Sequence, residues 1–225
     1  MLRLWNNNSL VVALRMLRKY GWWRIETLRI ALHKIYEGAI VIYGPPSAGK
    51  DSLAEVLKHL LFLKVVSIGA LMRQANKRNP QAFPEIDSGV LANSENAVRL
   101  MKGVFSKLRD KYGLFVSAGS PRAVDETKMV RPDICLAVKM DVIFKVCEQR
   151  VNRRRAADTL FFWRKRKDDD PRIFEERYDR YYRRTEPVVT YLESAGVKVV
   201  TVDANGTLLQ TTGILLEKLF AICGV

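Results

Sequence analysis

The chain has 225 residues, 48% of them hydrophobic, and its 38 Lys and Arg against 24 Asp and Glu give a formal net charge of +14. That length and apolar content fit one α/β domain of ordinary size with a real core and exclude a disordered chain. No apolar run approaches the roughly 18 residues of a membrane span, and the positive surplus points to an anionic partner such as phosphorylated ligands, nucleic acid or an acidic surface.

Residues 1–37 hold seven Lys and Arg against Glu26 and Glu37. They read as an added segment of two amphipathic helices. Residues 6–9 predict a helix start, 10–20 alternate apolar and basic residues at helical spacing, Gly21 stops them, and 22–36 repeat the pattern before Gly38. A basic, acid-poor, amphipathic start is the signature of a mitochondrial targeting peptide. It fits equally a docking arm for a protein or ribonucleoprotein assembly, or for a membrane surface. The first reading implies a mitochondrial location; without it the chain is expected in the cytoplasm. The three cysteines, Cys135, Cys147 and Cys223, lack paired or metal-ligating spacing and suit free thiols in a reducing compartment.

From residue 39 short apolar runs alternate with longer amphipathic stretches. Strands are predicted at 39–43, 63–67, 114–117, 134–140 and 197–202, and helices at 50–61, 70–77, 95–111, 142–155, 173–195 and 208–222. Continuous apolar strands alternating with helices predict a five-stranded parallel sheet covered on both faces, a three-layer α/β/α fold. The chain thus divides into an extension over 1–38 and an α/β domain over 39–225.

The first predicted strand runs into Gly44-Pro45-Pro46-Ser47-Ala48-Gly49-Lys50-Asp51-Ser52, which opens a helix. This is a P-loop of pattern G-x-x-x-x-G-K-x-S, one residue longer than the strict form because Asp51 separates Lys50 from Ser52. Backbone N–H groups over Ser47, Ala48, Gly49, Lys50, Asp51 and Ser52, with the positive end of the helix, would enclose a phosphate. Lys50 would neutralise a transferring phosphoryl group, and Ser52 could face Mg²⁺, directly or through water. Asp51 puts a negative charge beside that phosphate, which is unfavourable unless it points to solvent.

The extra residue after the lysine is the version used by adenylate kinases, and further segments resemble that family in order and spacing. Ser67-Ile68-Gly69-Ala70-Leu71-Met72-Arg73 is similar to its S-T-G-D-L-L-R, and Gly89-Val90-Leu91-Ala92-Asn93-Ser94-Glu95 to its G-x-L-V-P-D-E. Ala118-Gly119-Ser120-Pro121-Arg122 resembles D-G-F-P-R. Arg150 and Arg154 lie four apart on one helical face. Arg166-Lys167-Asp168-Asp169 resembles R-x-D-D, Arg177 with Tyr181, Thr185 and Pro187 resembles R-x-x-x-Y-x-x-x-T-x-P, and Val202-Asp203-Ala204-Asn205-Gly206 the last loop, beside the donor adenine.

The resemblance covers residues 39–225. It implies direct transfer of the γ-phosphoryl group of ATP to AMP or another nucleoside monophosphate, with Mg²⁺ and no phosphoenzyme. The P-loop, Arg150, Arg154 and Gly206 would bind ATP. An acceptor segment near 67–96 would supply Ile68, Arg73 and Ala92, joined by Gly119, Arg122 and Glu126. Lys50, Arg122, Arg154, Arg166 and Arg177 would carry catalysis, the last two also touching the acceptor. Phosphoryl transfer is mainly positioning and charge stabilisation, and guanidinium forks bind phosphate oxygens bidentately. The lid, near 155–165, is short and lacks four cysteines, which excludes a zinc-bearing one. Its Leu160-Phe161-Phe162-Trp163 run reads as packing within the lid or as a protein-contact patch.

Four departures stand out. Ala118 and Ala70 replace family aspartates, the first of which helps order the metal's water shell. Ile68 replaces a threonine. Glu126 falls where the family has the glutamine that reads adenine, and a carboxylate can only accept hydrogen bonds, which would tolerate a guanine edge better. Arginines kept and acids lost predict retained nucleotide binding with weakened metal handling, at a cost of about 10²–10³ in rate. Two functions follow: a nucleoside monophosphate kinase, or a catalytically impaired kinase-like subunit of a larger, mitochondrial or ribonucleoprotein, assembly.

Overall fold

The computed structural model describes residues 2–79, 83, 95–159 and 170–225. Its centre is the strand β1 (Gly38–Tyr43), every residue of which is buried. Around it β2 (Lys64–Val66), β3 (Leu114–Ala118), β4 (Ile134–Asp141) and β5 (Lys198–Asp203) form one parallel sheet in the order β2-β3-β1-β4-β5. A parallel sheet needs helices on both faces, so its central strand is apolar without interruption. Side chains of β1 alternate between the two layers. Ile40 and Ile42 join Leu53, Leu57, Leu216 and Phe220 on one face. Ala39, Val41 and Tyr43 join Phe105, Phe115, Val188 and Leu192 on the other.

The first layer holds α3 (Lys50–Leu61), α7 (Phe144–Thr159) and α10 (Leu208–Cys223). The second holds α4 (Ile68–Arg78), α5 (Glu95–Tyr112), α6 (Val124–Val130) and α9 (Glu186–Ser194), while α8 (Pro171–Arg180) leads into α9. The expected three-layer α/β/α fold is thus present, with every predicted strand within two residues of its place. The short α6 is an addition that sequence periodicity did not mark. The helix expected over 173–195 is divided by a π turn at Tyr181–Thr185, where the Glu186 N–H bonds to the Tyr181 carbonyl five residues back. Pro187 has no N–H to offer Arg183 in the α register, and π turns of this kind cluster at functional sites.

Residues 9–35 pack into the domain. The helices α1 (Leu2–Tyr20) and α2 (Trp22–Ile35) lie on α3 and α10 and complete the first layer. Val12, Ala13 and Met16 from α1 and Ile25, Leu28 and Leu32 from α2 are buried in that core. The hydroxyl of Ser9, only 2% exposed, donates to the Ser52 carbonyl at 3.3 Å. At the other end Trp22 meets the ring of Phe62, just beyond α3. The helix α1 therefore runs parallel to α3, with Ser9 beside the first turn of that helix. Arg24 sits 4.2 Å from the Phe220 ring centroid and donates to the Val225 carbonyl. An outer stripe, with Leu14, Arg15, Arg18 and Trp23, faces solvent.

Leu28→Ala should lower unfolding stability by about 2–5 kcal/mol, because its 0% exposed side chain would leave a cavity between α2 and the sheet layer. Urea unfolding followed by circular dichroism checks this; a loss under about 0.5 kcal/mol would mean a segment that does not share the core.

Candidate active site

The chain leaves β1 at Tyr43 and turns back into α3 through the P-loop. Two left-handed residues, Ser47 at φ 63° and Gly49 at φ 100°, make that reversal and aim the start of α3 at the loop's centre. Glycine carries such a conformation without strain, whereas Ser47 does not. The Lys50 ammonium folds back to donate to the carbonyls of Gly44 at 2.7 Å and Pro45 at 2.8 Å. Burial pushes its pKa down to about 8; Asp51 opposes that, and Arg122 and Arg177 add to it.

Opposite the loop, β3 ends at Ala118 and turns at Gly119, with φ 71°. A Cβ at Gly119 would stand 3.3 Å from the Lys50 Cε and 3.9 Å from an Arg122 Nη. A Cβ at Gly69, on the first turn of α4, would stand 3.4 Å from one Nη of Arg73 and 4.0 Å from Arg122. Lys50, Arg122 and Arg73 are thus neighbours across two bare backbone positions. Arg122 is fixed on three sides. Its Nε donates to the Gly119 carbonyl at 2.7 Å, its N–H to the Glu126 carboxylate at 2.9 Å, and its carbonyl accepts from Thr185 at 3.0 Å. Burial lowers its pKa and Arg177 lowers it further, while Glu126 and Asp51 act in the opposite sense.

The third wall is α7. The Arg150 guanidinium donates to the carbonyls of Ala48 at 2.9 Å, Ala204 at 2.7 Å and Gly206 at 2.7 Å. It ties the P-loop to the loop after β5, and burial lowers its pKa. One turn along, Arg154 donates to the Ser47 hydroxyl at 3.3 Å. The loop after β5 is itself fixed: Asn205 accepts from the Ile143 N–H at 2.9 Å, and Thr207 and Gln210 cap α10 reciprocally.

These walls enclose a cleft of about 930 Å³ lined by Lys50 and seven arginines. Of the residues singled out in the sequence, Ser47, Ala48, Gly49, Lys50, Asp51, Ser52, Arg73, Gly119, Arg122, Arg150, Arg154, Arg177 and Gly206 all line it. Ala92, Arg166 and the 160–165 stretch of the expected lid lie outside the described residues. Two of the singled-out side chains are held within the protein. Ile68 is 1% exposed and packs into the core beneath α4, so its neighbours Ser67 and Gly69 form the wall instead. Glu126 is buried and its carboxylate takes the Arg122 N–H, so it braces that arginine. Arg153 and Arg180, which no motif marks, also line the cleft. Each stands three residues after a chosen arginine on its own helix, and that spacing was the available signal. The buried Tyr43 hydroxyl, another lining group, has no hydrogen-bond partner among the described residues and left no mark in the sequence pattern.

No family model matches the chain. Among curated proteins it is 32% identical over 171 residues to the adenylate kinase of Methylobacterium nodulans, covering 70% of this chain and 84% of that one. It is 27% identical over 212 residues to the adenylate kinase of Gemmatimonas aurantiaca, covering 80% and 98%. With adenylate kinase 1 of Schistosoma mansoni it shares 28% over 176 residues, covering 75% and 85%.

Arg150→Ala should leave three loop carbonyls without their shared donor and weaken ATP binding about tenfold, since charge-assisted bonds are worth about 1.5–3 kcal/mol each. Arg150→Lys should recover little of it, because a point charge cannot span three acceptors. Calorimetric titration of both variants with ATP is the check; full affinity in Arg150→Ala would remove its bracing role.

Proposed function

The chain belongs to the adenylate kinase family, and we propose that it transfers the γ-phosphoryl group of ATP to a nucleoside monophosphate, with AMP the first acceptor to try. At the level of the family its function is that of a nucleoside monophosphate kinase. The convergence of Lys50, Arg73 and Arg122 around Gly69 and Gly119 carries this reading. Arg177 is close enough to act electrostatically on both Lys50 and Arg122. One phosphate would not call for so many cations; two phosphorylated substrates meeting there would.

In that scheme ATP lies along the P-loop between Arg150 and Arg154, and the monophosphate lies against Arg73 and Arg122. A phosphate oxygen of the acceptor attacks the γ-phosphorus, and the bond from that phosphorus to the β,γ-bridging oxygen breaks. ADP and a nucleoside diphosphate result, with no covalent enzyme species. Lys50 exchanges its two carbonyl partners for phosphate oxygens, and the arginines hold donor and acceptor in line while their charge stabilises the equatorial oxygens. Asp51 and Ser52 bring a carboxylate and a hydroxyl to the cleft, oxygen donors that suit Mg²⁺. Bound with ATP, that ion would neutralise phosphate charge. No group of three His, Cys, Asp or Glu among the described residues could hold it alone. Ala118 supports a second reading, a nucleotide-binding subunit with impaired turnover, because β3 ends without an acidic group.

A coupled assay of ADP formation from Mg-ATP with AMP, GMP, CMP and UMP should detect turnover with one acceptor preferred. Lys50→Ala should lower it by about 10²–10³ or more. Absent turnover with tight binding of a two-nucleotide bisubstrate analogue would favour the second reading, and absence of both would overturn both.

A further inference from the structure

Seven arginines and Lys50 line the cleft, and among the described lining residues a single acidic side chain, Asp51, stands with them. It is exposed on the first turn of α3, immediately after the P-loop lysine. The strict P-loop motif places at this position the Ser or Thr whose hydroxyl ligates Mg²⁺. Here the position holds a carboxylate, the protein ligand this hard cation takes most readily alongside phosphate oxygens. The end of β3 offers only Ala118.

The same charge is a liability toward a bare nucleotide. The loop N–H groups and the start of α3 draw phosphate to this spot, so an anionic side chain there repels what its own backbone attracts. A divalent cation between carboxylate and phosphate reverses the sign of that interaction. Resting on the ATP site proposed above, we propose that Asp51 holds the divalent cation of the bound nucleotide and makes ATP binding strongly dependent on that cation. Ser52, next along α3 and lining the same cleft, offers a second oxygen. The nearness of Asp51 to the reacting end fits, since its charge opposes the effect of burial on both Lys50 and Arg122.

The test is equilibrium binding of ATP to the full chain in EDTA and in Mg²⁺, for the parent protein and Asp51→Asn, with Mn²⁺ paramagnetic resonance in the presence of ATP as a second readout. Mg²⁺ should tighten ATP binding to the parent by about tenfold or more, the size of a typical coupling between two ligands. Asp51→Asn should bind metal-free ATP several-fold more tightly than the parent, gain little from Mg²⁺, and hold Mn²⁺ less firmly. An unchanged Mg²⁺ dependence in Asp51→Asn would overturn the inference while leaving the ATP site intact. Failure of the parent to bind ATP with or without metal would overturn the site and the inference together.

Discussion

Like charges crowded into one cleft are the constraint around which this molecule is arranged. Two such charges about 6 Å apart repel by about 3 kcal/mol at an effective dielectric of about 20, and the cleft contains Lys50 and seven arginines. Carbonyl oxygens offset much of that repulsion. Gly44 and Pro45 hold Lys50, Gly119 holds Arg122, and Ala48, Ala204 and Gly206 hold Arg150. Each is a fixed dipole on a loop anchored to a strand end, so it keeps a cation in place without neutralising it. A phosphate entering the cleft finds these charges already oriented, which is the condition for electrostatic catalysis.

Those loops are only as stiff as what lies beneath them. The P-loop and the turn at Gly119 leave neighbouring strands, β1 and β3, that are hydrogen-bonded from Gly38–Leu114 to Ile42–Ala118. Their separation is therefore set by sheet spacing. The π turn gives the remaining support. Thr185 reaches the Arg122 carbonyl, and Tyr181 donates to Glu186, which is itself paired with Lys139 on β4. The segment that carries Arg177 and Arg180 toward the cleft is thereby joined to the central sheet.

Spacing made the P-loop and most of the arginines legible in the sequence, because each signal is local: a strand, a glycine-rich turn, a lysine, a helical repeat. What depended on distant partners was not. Ile68 sits in a stretch that resembles a ligand-binding segment, and only packing beneath α4 shows that its side chain turns inward. Glu126 differs from the family pattern in a way that suggests altered base reading, yet its partner is a backbone N–H four residues earlier in the chain. Arg150 falls at a position that resembles a nucleotide contact, and its bracing of three loop carbonyls does not follow from helical phase. The N-terminal helices were the largest such case. Their amphipathic pattern was clear, but the pattern does not say which surface covers it, and that surface proved to be α3 together with the final helix.

That last pairing governs when the domain can close. The helices α1 and α2 rest on α10, far along the chain, and Arg24 reaches the Val225 carbonyl 201 positions on. During synthesis the stripe of Ile25, Leu28 and Leu32 therefore emerges long before its full cover exists. The nascent chain must carry that apolar surface until α10 has been made, a period in which such stripes invite misassociation. Its closure joins segments far apart in the chain, and so belongs to the slow, non-local class of folding contacts.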